Sequence, residues 1–283
     1  MVATLSNAVE EAAAAEPLSV SDQAALVAQL RQISELQRHL LPRELPQPSG
    51  WRIAVYQTPG AWPSGDYYDV LSLPDGRLVL VMADASGHGG VPAVMMALAR
   101  VTLHVCPLTS GVDRQPFCPI QAMVQPPHMA LGHLNRVLHE NSLEGHFMTA
   151  FDAILNPHTG SLQFANAGHL PPRWWHNHDR IVESLANPSG LPLGLLPDTT
   201  YALERIEMGS GDALILFTDG LTEAQNAAGK LFGTKRLDAA LRESSQRGAD
   251  GIRAGLLDRL DVFLGGCLPH DDLTFLVLER VAE

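Results

Sequence analysis

An apolar run of strand length that ends on a carboxylate constrains this chain more than any other feature. Residues 78–84 read LVLVMAD, and residues 85–90 continue as ASGHGG. A continuous apolar run of this length predicts a strand that is buried on both faces, and the glycines allow a sharp turn beside the carboxylate. Two interpretations of Asp84 are open here: it binds a hard cation at the end of the strand, or it caps the helix that Pro92 opens.

The same pattern recurs further along the chain. Residues 213–220 read ALILFTDG, and residues 271–278 read DDLTFLVL, with the carboxylates now at the start of the run. Residues 65–69, GDYYD, open another strand-like run. If the strand after Asp271 runs antiparallel to the strands that end at Asp84 and Asp219, its beginning lies beside their ends. The carboxylates would then meet at one edge.

Several carboxylates at one site stay ionised only when cations hold them. A ligand set made of carboxylates, without clustered cysteine or histidine, favours Mg²⁺ or Mn²⁺ over Zn²⁺. The sequence therefore predicts a site for hard divalent cations at this edge.

Charge and cysteine content exclude several classes of protein. The formal net charge is 19 − 31 = −12, which argues against a nucleic-acid surface and against an anionic membrane surface as partners. Three cysteines without CxxC spacing, Cys106, Cys118 and Cys267, are typical of free thiols in a reducing compartment, although a Cys106–Cys118 bridge stays open. No signal-peptide pattern or membrane-length apolar run is present, so we expect a cytoplasmic protein.

Composition divides the 283 residues into three parts. Residues 1–20 are rich in alanine and acidic, and we expect a disordered lead. Residues 21–48 form a helix followed by a proline-rich linker, and residues 49–283 form the main domain. The helix carries residues at heptad-like intervals: Leu26, Leu30, Ile33, Gln37 and Leu40. Two interpretations are open: residues 21–41 dimerise and carry a regulatory signal, or they pack on their own domain.

Within the main domain, strands at hairpin spacing and helices in pairs predict an antiparallel α+β fold. The paired helices are expected at residues 92–104 and 129–141, and again at 234–244 and 250–264. Residues 105–127 hold many prolines, and we expect a long irregular loop there, either a lid or an insertion.

Taken together, the motifs resemble those of a known family. The quoted segments are residues 64–69 (SGDYYD), 83–89 (ADASGHG), 147–151 (FMTAF), 165–172 (ANAGHLPP), 217–224 (FTDGLTEA) and 271–274 (DDLT). In this order they resemble the metal-dependent protein phosphatases of the type 2C (PPM) superfamily. The match is to the bacterial branch typified by the sporulation stage II phosphatase and by stress-response phosphatases that act on anti-sigma factor antagonists.

This resemblance implies a fold and a set of ligands. The fold would be the PPM-type αββα sandwich, in which two antiparallel sheets lie between helix pairs, preceded here by the N-terminal linker helix. Two Mn²⁺ or Mg²⁺ ions would bind at one sheet edge. By position, Asp84 would bridge both ions, and Asp66 with the carbonyl of Ala85 would complete one of them. Asp219 and Asp271 would hold the other, with Asp272 adjacent.

The resemblance also implies that a metal-activated water attacks phosphorus directly, without a covalent phosphoenzyme. The histidine that the family proposes as general acid, two residues after the bridging aspartate, is replaced here by Ser86. His88 is the nearest candidate for a catalytic proton donor, and a turn histidine bonded to backbone is the alternative. His169 is expected to be structural. Asp69 and Glu223 are expected to cap or support the ligands.

The sequence thus predicts a phosphoserine/phosphothreonine phosphatase whose substrate, by resemblance, is a phosphorylated anti-sigma factor antagonist. The alternative is a pseudophosphatase, a dimeric regulator that binds a partner without turnover. Zinc-hydrolase, nucleotide-hydrolase and serine-esterase functions lack their motifs in this sequence.

Overall fold

The computed structural model describes residues 19–58, 63–87, 89–104, 125–185, 190–269 and 271–282. The expected disordered lead lies almost entirely outside the described residues, as do His88, Cys106 and Cys118. Most of the expected loop at 105–127 also lies outside the described residues, and its last residue, Pro127, begins a helix. The domain boundary expected at residue 49 stays a prediction.

Two antiparallel five-stranded sheets form the centre of the described structure. The first has the order β1-β10-β9-β6-β7: β1 Trp51–Thr58, β10 Leu273–Arg280, β9 Ala213–Phe217, β6 Arg173–His176 and β7 Ile181–Ser184. The second has the order β2-β3-β4-β5-β8: β2 Tyr67–Ser72, β3 Leu78–Ala85, β4 Met148–Asn156, β5 Ser161–Ala167 and β8 Glu204–Glu207. We call them the first sheet and the second sheet.

Helices cover the outer face of each sheet. Their bounds are α1 Val20–Leu40, α2 Gly90–His104, α3 Pro127–Asn141, α4 Asp219–Glu223, α5 Gly233–Ser244 and α6 Gly248–Leu264. The pair α2 and α3 packs on the second sheet, and α6 packs on the first sheet with α5 beside it. The predicted αββα sandwich is therefore confirmed. Among the described helices, none has the length and apolarity that a bilayer crossing requires.

Burial on both faces explains why the central strands are apolar runs without alternation. The first seven residues of β10 are buried, and so are seven of the eight residues of β3. One face of each strand meets the opposite sheet and the other meets a helix pair. Phe151 of β4 stacks on Phe164 of β5 with ring centroids 5.2 Å apart. Full burial of such a side chain stabilises the fold by about 1.5–3 kcal/mol.

The C-terminal end of α1 is fixed to the domain. Gln37 is 6% exposed, and its side-chain amide donates to the carbonyl of Ser64 at 2.7 Å and accepts from the Ser64 N–H at 2.9 Å. Arg100 of α2 donates to the carbonyl of Leu40. The heptad positions therefore divide between two faces, because Gln37 is buried while Leu26 and Ile33 are exposed. Packing on its own domain accounts for this end of the helix, and dimerisation stays a prediction for the exposed face.

Candidate active site

Antiparallel pairing brings the predicted carboxylates to one end of the sandwich. In the second sheet, Tyr67 is paired with Ala83, so Asp66 just before β2 lies beside Asp84 near the end of β3. In the first sheet, Phe275 is paired with Phe217, so the segment before β10 lies beside Asp219 just after β9. The sequence predicted the antiparallel direction. It did not predict that the carboxylates come from different sheets.

Asp66 is held by two hydroxyl groups that reach it from the other sheet. Its side chain is buried, and its Oδ2 accepts hydrogen bonds from the Oγ1 of Thr218 at 2.8 Å and from the Oγ1 of Thr274 at 2.6 Å. Its backbone N–H donates to the Oγ of Ser64 at 3.0 Å. Sequence reasoning assigned no role to either threonine. The available signal was position, since Thr218 precedes Asp219 and Thr274 follows the Asp271-Asp272 pair.

Electrostatic repulsion indicates that the carboxylates are neighbours. Burial, followed by the charges of Asp219, Asp271 and Asp272, raises the pKa of Asp84 to about 8. Burial and the charge of Asp84 hold the pKa of Asp66 well above its usual range, although the two threonine hydroxyls oppose this shift. Carboxylates that raise one another's pKa in this way favour a bound cation, because the cation removes the repulsion.

Asp219, just after β9, is the half-buried carboxylate that the first sheet contributes to this edge. Its pKa is raised by burial first, then by the charges of Asp271 and Glu223. Glu223 is exposed at the other end of α4, four residues after Asp219. Asp271 is exposed and accepts a hydrogen bond from the backbone N–H of Asp272 at 2.8 Å.

Two glycines allow the close backbone approaches that assemble this edge. A Cβ on Gly65 would lie 2.6 Å from the carbonyl oxygen of Ala85 and 3.2 Å from Oδ1 of Asp84. A Cβ on Gly220 would lie 1.9 Å from the carbonyl oxygen of Asp272. Any larger residue at either position would therefore push apart the segments that carry the carboxylates.

The arrangement is a group of neighbouring carboxylates rather than a closed ligand shell. Within the described ranges, no three Asp, Glu, His or Cys side chains are already positioned around a common point for a metal ion. The donors are all oxygens and the local charge is strongly negative. This chemistry fits Mg²⁺ or Mn²⁺.

Comparison with known proteins identifies the family. The model for stage II sporulation protein E matches residues 74–281. The chain belongs to the stage II sporulation protein E family. The matched part includes Asp84, Asp219, Asp271 and Asp272, whereas Asp66 and α1 precede it.

Curated relatives share this part of the chain. The phosphoserine phosphatase RsbU of Bacillus subtilis is 28% identical over 250 residues, which cover 87% of this chain and 68% of RsbU. The protein IcfG of Synechocystis is 26% identical over 267 residues, which cover 87% of this chain and 40% of IcfG. The chain thus spans less than half of one relative and about two thirds of the other.

Solved structures of similar fold agree with the architecture. The RsbU and RsbW domains of Rv1364c from Mycobacterium tuberculosis match with a TM-score of 0.65 and 27% identity, over 86% of this chain and 63% of that one. The SiaA-PP2C domain of Pseudomonas aeruginosa matches with a TM-score of 0.73 and 23% identity, over 92% of this chain and 99% of that one. The second likeness is evidence for the fold alone.

In this member of the stage II sporulation protein E family, Ser86 joins two strand ends. Its Oγ accepts a hydrogen bond from the backbone N–H of Phe147 at 3.0 Å, and its own N–H donates to the Phe147 carbonyl at 2.9 Å. These bonds hold the end of β3 against the residue that precedes β4. His88, the candidate proton donor, lies outside the described residues.

His169 supports the strand beside Asp84. Its Nδ1 lies 2.8 Å from the Oγ1 of Thr149, the residue paired with Asp84 in the sheet. Its backbone N–H donates to Asn166 Oδ1 at 2.7 Å, and Asn166 donates back to the His169 carbonyl at 3.0 Å. Burial lowers the pKa of His169 to about 4, so the imidazole is neutral at pH 7. These contacts support the structural role expected for it.

Asp69 does not support Asp66, contrary to expectation. Its Oδ2 accepts a hydrogen bond from the Tyr67 hydroxyl at 2.9 Å and lies 2.5 Å from Nε2 of His104. Side chains alternate between the faces of a strand, and Asp69 shares the face of Tyr67. It therefore ties β2 to α2 instead of joining the carboxylate edge.

Proposed function

We propose that this chain is a metal-dependent protein phosphatase that hydrolyses phosphoserine or phosphothreonine. The carboxylate edge is the observation that carries the proposal, since acidic side chains from two sheets perturb one another's pKa at one end of the sandwich. Membership of the family and the phosphoserine phosphatase RsbU among the relatives support it.

The proposed ligands follow from which carboxylates affect one another. The charge of Asp84 acts on Asp66, and the charges of Asp219, Asp271 and Asp272 act on Asp84. We therefore propose Asp84 as the shared ligand of two Mn²⁺ or Mg²⁺ ions. Asp66 and the Ala85 carbonyl would complete one ion. Asp219 and Asp271 would hold the other, with Asp272 adjacent.

When bound, such ions lower the pKa of a coordinated water and neutralise the phosphoryl oxygens. The residues of the chain contribute positioning, which is most of what phosphoryl transfer requires from a protein. Thr218 and Thr274 fix the Asp66 carboxylate by hydrogen bonds. Ser86 and His169 hold the strand ends on either side of Asp84. His88 stays the proposed proton donor.

The proposed substrate is a phosphorylated anti-sigma factor antagonist, which would connect the chain to partner-switching control of transcription. The support is the family and the likeness to RsbU.

The test compares wild type with Asp84→Ala, using Mn²⁺ and both p-nitrophenyl phosphate and a phosphorylated antagonist protein. We expect the substitution to lower the rate by about 10³-fold or more, since charge stabilisation supplies most of the catalysis. Asp261→Ala, an exposed carboxylate on α6, is the matched control and should leave the rate unchanged.

Calorimetry with Mn²⁺, taken together with the rates, separates this proposal from a pseudophosphatase, which needs neither metal binding nor turnover. Wild type should bind the ion and Asp84→Ala should bind it much more weakly. Equal phosphatase rates in the two proteins would contradict the proposal. Tight Mn²⁺ binding without any turnover of either substrate would favour the pseudophosphatase instead.

A further inference from the structure

A cavity away from the carboxylate edge combines features that no part of the proposed catalysis uses. It has a volume of about 540 Å³ and lies between α3 and the segment 197–201. This volume falls within the range of small-molecule sites. Its position is independent of the metal ligands, none of which lines it.

One stripe of α3 forms the floor of this cavity. His128, Gly132 and Arg136 are spaced four residues apart, which places them one above another on the same helix face. Gly132 is central, and a Cβ there would find no atom within 4 Å. The glycine therefore leaves open space between His128 and Arg136 on this helix face.

Two residues that line the cavity each carry a buried side-chain atom without a hydrogen-bond partner. The hydroxyl of Tyr201 is one, and Nδ1 of His128 is the other. Tyr201 is only 6% exposed, and its ring is fixed by Gly190, where a Cβ would lie 2.4 Å from Cδ1 of the ring. A buried polar group without a partner costs about 1–3 kcal/mol, so a ligand that reaches either atom through a local side-chain movement recovers that free energy.

One basic and one acidic side chain line the cavity, and the N-terminal end of α3 adds partial positive charge. Arg136 is exposed and takes part in none of the ion pairs formed among the described residues. Asp198 also lines the cavity but is exposed and not within ion-pair distance of Arg136. The helix begins here without a side-chain cap and without an acidic residue in its first turn, so its positive end is not neutralised locally. Burial raises the pKa of Tyr201, which keeps the hydroxyl available as a donor.

We propose that this cavity binds a small organic anion with one phosphate or carboxylate head and an apolar body. The head would accept hydrogen bonds from Tyr201 and Arg136, and the body would pack against Met129 and Pro197, which also line the cavity. The volume exceeds what a bare oxyanion fills, and for this reason the ligand carries a body as well as a head.

The test uses phenylphosphonate, whose carbon–phosphorus bond the proposed phosphatase cannot hydrolyse as an ester. Binding is measured by calorimetry on the full chain without added divalent metal, for wild type and for Asp84→Asn. We expect one molecule to bind each with the same affinity. Loss of binding in Asp84→Asn would assign the anion to the carboxylate edge and overturn the proposal.

Substitutions inside the cavity make the test specific. Gly132→Met fills the open space and should abolish binding, whereas Gly132→Ala should retain it. Arg136→Gln should weaken binding by about tenfold or more, since it removes a charge-assisted hydrogen bond. Arg242→Gln, an exposed arginine on α5, is the matched control. Thermal unfolding of each variant, at or near the wild-type temperature, verifies that the fold is intact.

Three other probes define the ligand class. Benzoate should bind in competition with phenylphosphonate, and neutral benzamide should bind much more weakly. Inorganic phosphate should bind more weakly than phenylphosphonate because it lacks the apolar body. Equal binding of benzamide, equal binding of phosphate, or unchanged binding to Gly132→Met would each overturn the proposal.

Discussion

At the scale of single residues, the buried carboxyl groups differ in their hydrogen-bond partners. Asp66 is satisfied by two threonine hydroxyls from the opposite sheet. Asp152 of β4 is also buried, but its Oδ1 has no hydrogen-bond partner. Burial raises the pKa of Asp152 from 3.8 to about 7. Burial raises the pKa of both carboxyl groups, and only in Asp66 do hydrogen-bond donors oppose that shift through the side chain.

The raised pKa of Asp152 predicts a specific pH dependence of stability. Above pH 3.8 the unfolded chain releases this proton, while the folded chain keeps it up to pH of about 7. Stability from this group is therefore lost as the pH rises through that window. Asp152→Asn removes the effect, so its stability relative to wild type should increase by about 4 kcal/mol between pH 4 and pH 7.

Urea denaturation at several pH values measures this difference. Asp261→Asn, an exposed carboxylate, should follow wild type at every pH. If the difference in unfolding free energy between Asp152→Asn and wild type stayed constant between pH 4 and pH 7, the conclusion that folded Asp152 keeps its proton would be wrong.

At the scale of elements, the sequence predicted the strands that are buried on both faces and missed the edge strand β7 and the short helix α4. β3, β9 and β10 could be predicted because a strand between two packed layers is a continuous apolar run. β7 was missed because Ile181–Ser184 alternates weakly at a sheet edge. α4 was missed because five residues are too few to show a helical period.

The end of α1 predicts a measurable effect at a distance from the metal ligands. Gln37 is bonded twice to Ser64, whose own hydroxyl accepts from the backbone of Asp66. Gln37→Ala should free this segment, and we expect weaker Mn²⁺ binding and a lower phosphatase rate, each by about tenfold, as for other groups that position a ligand.

Gln29→Ala, which alters an exposed position on the same helix, is the matched control for Gln37→Ala. Calorimetry and the rate with p-nitrophenyl phosphate are the measurements. Unchanged values for Gln37→Ala would mean that the two hydrogen bonds only anchor the helix.

At the scale of the whole molecule, the sequence could indicate the carboxylates but not the way they are brought together. Asp84 and Asp219 end similar apolar runs, which gave no indication that they belong to different sheets. The hydroxyl bridge from Thr218 and Thr274 depends on how the sheets stack. Asp69 could not be assigned either, because its partner His104 lies 35 residues away.

The exposed face of α1 predicts association of two copies of the chain. Leu26, Ile33 and Leu36 are exposed on this helix, while Gln37 is buried against the domain. Ile33→Glu should shift the mass measured by light scattering from dimer to monomer, because a charge at an apolar seam is costly to bury. Gln29→Glu adds the same charge at an exposed polar position and should leave the mass unchanged. An identical mass for all three proteins would contradict dimerisation through this helix.

The hydroxyls of Thr218 and Thr274 have a consequence for folding. They join Asp66 to the other layer, so the cluster of acids cannot assemble until the two halves of the sandwich have docked in their final alignment. During refolding, the recovery of Mn²⁺ binding would therefore report this last docking event, later than any spectroscopic signal from strand formation within either half alone.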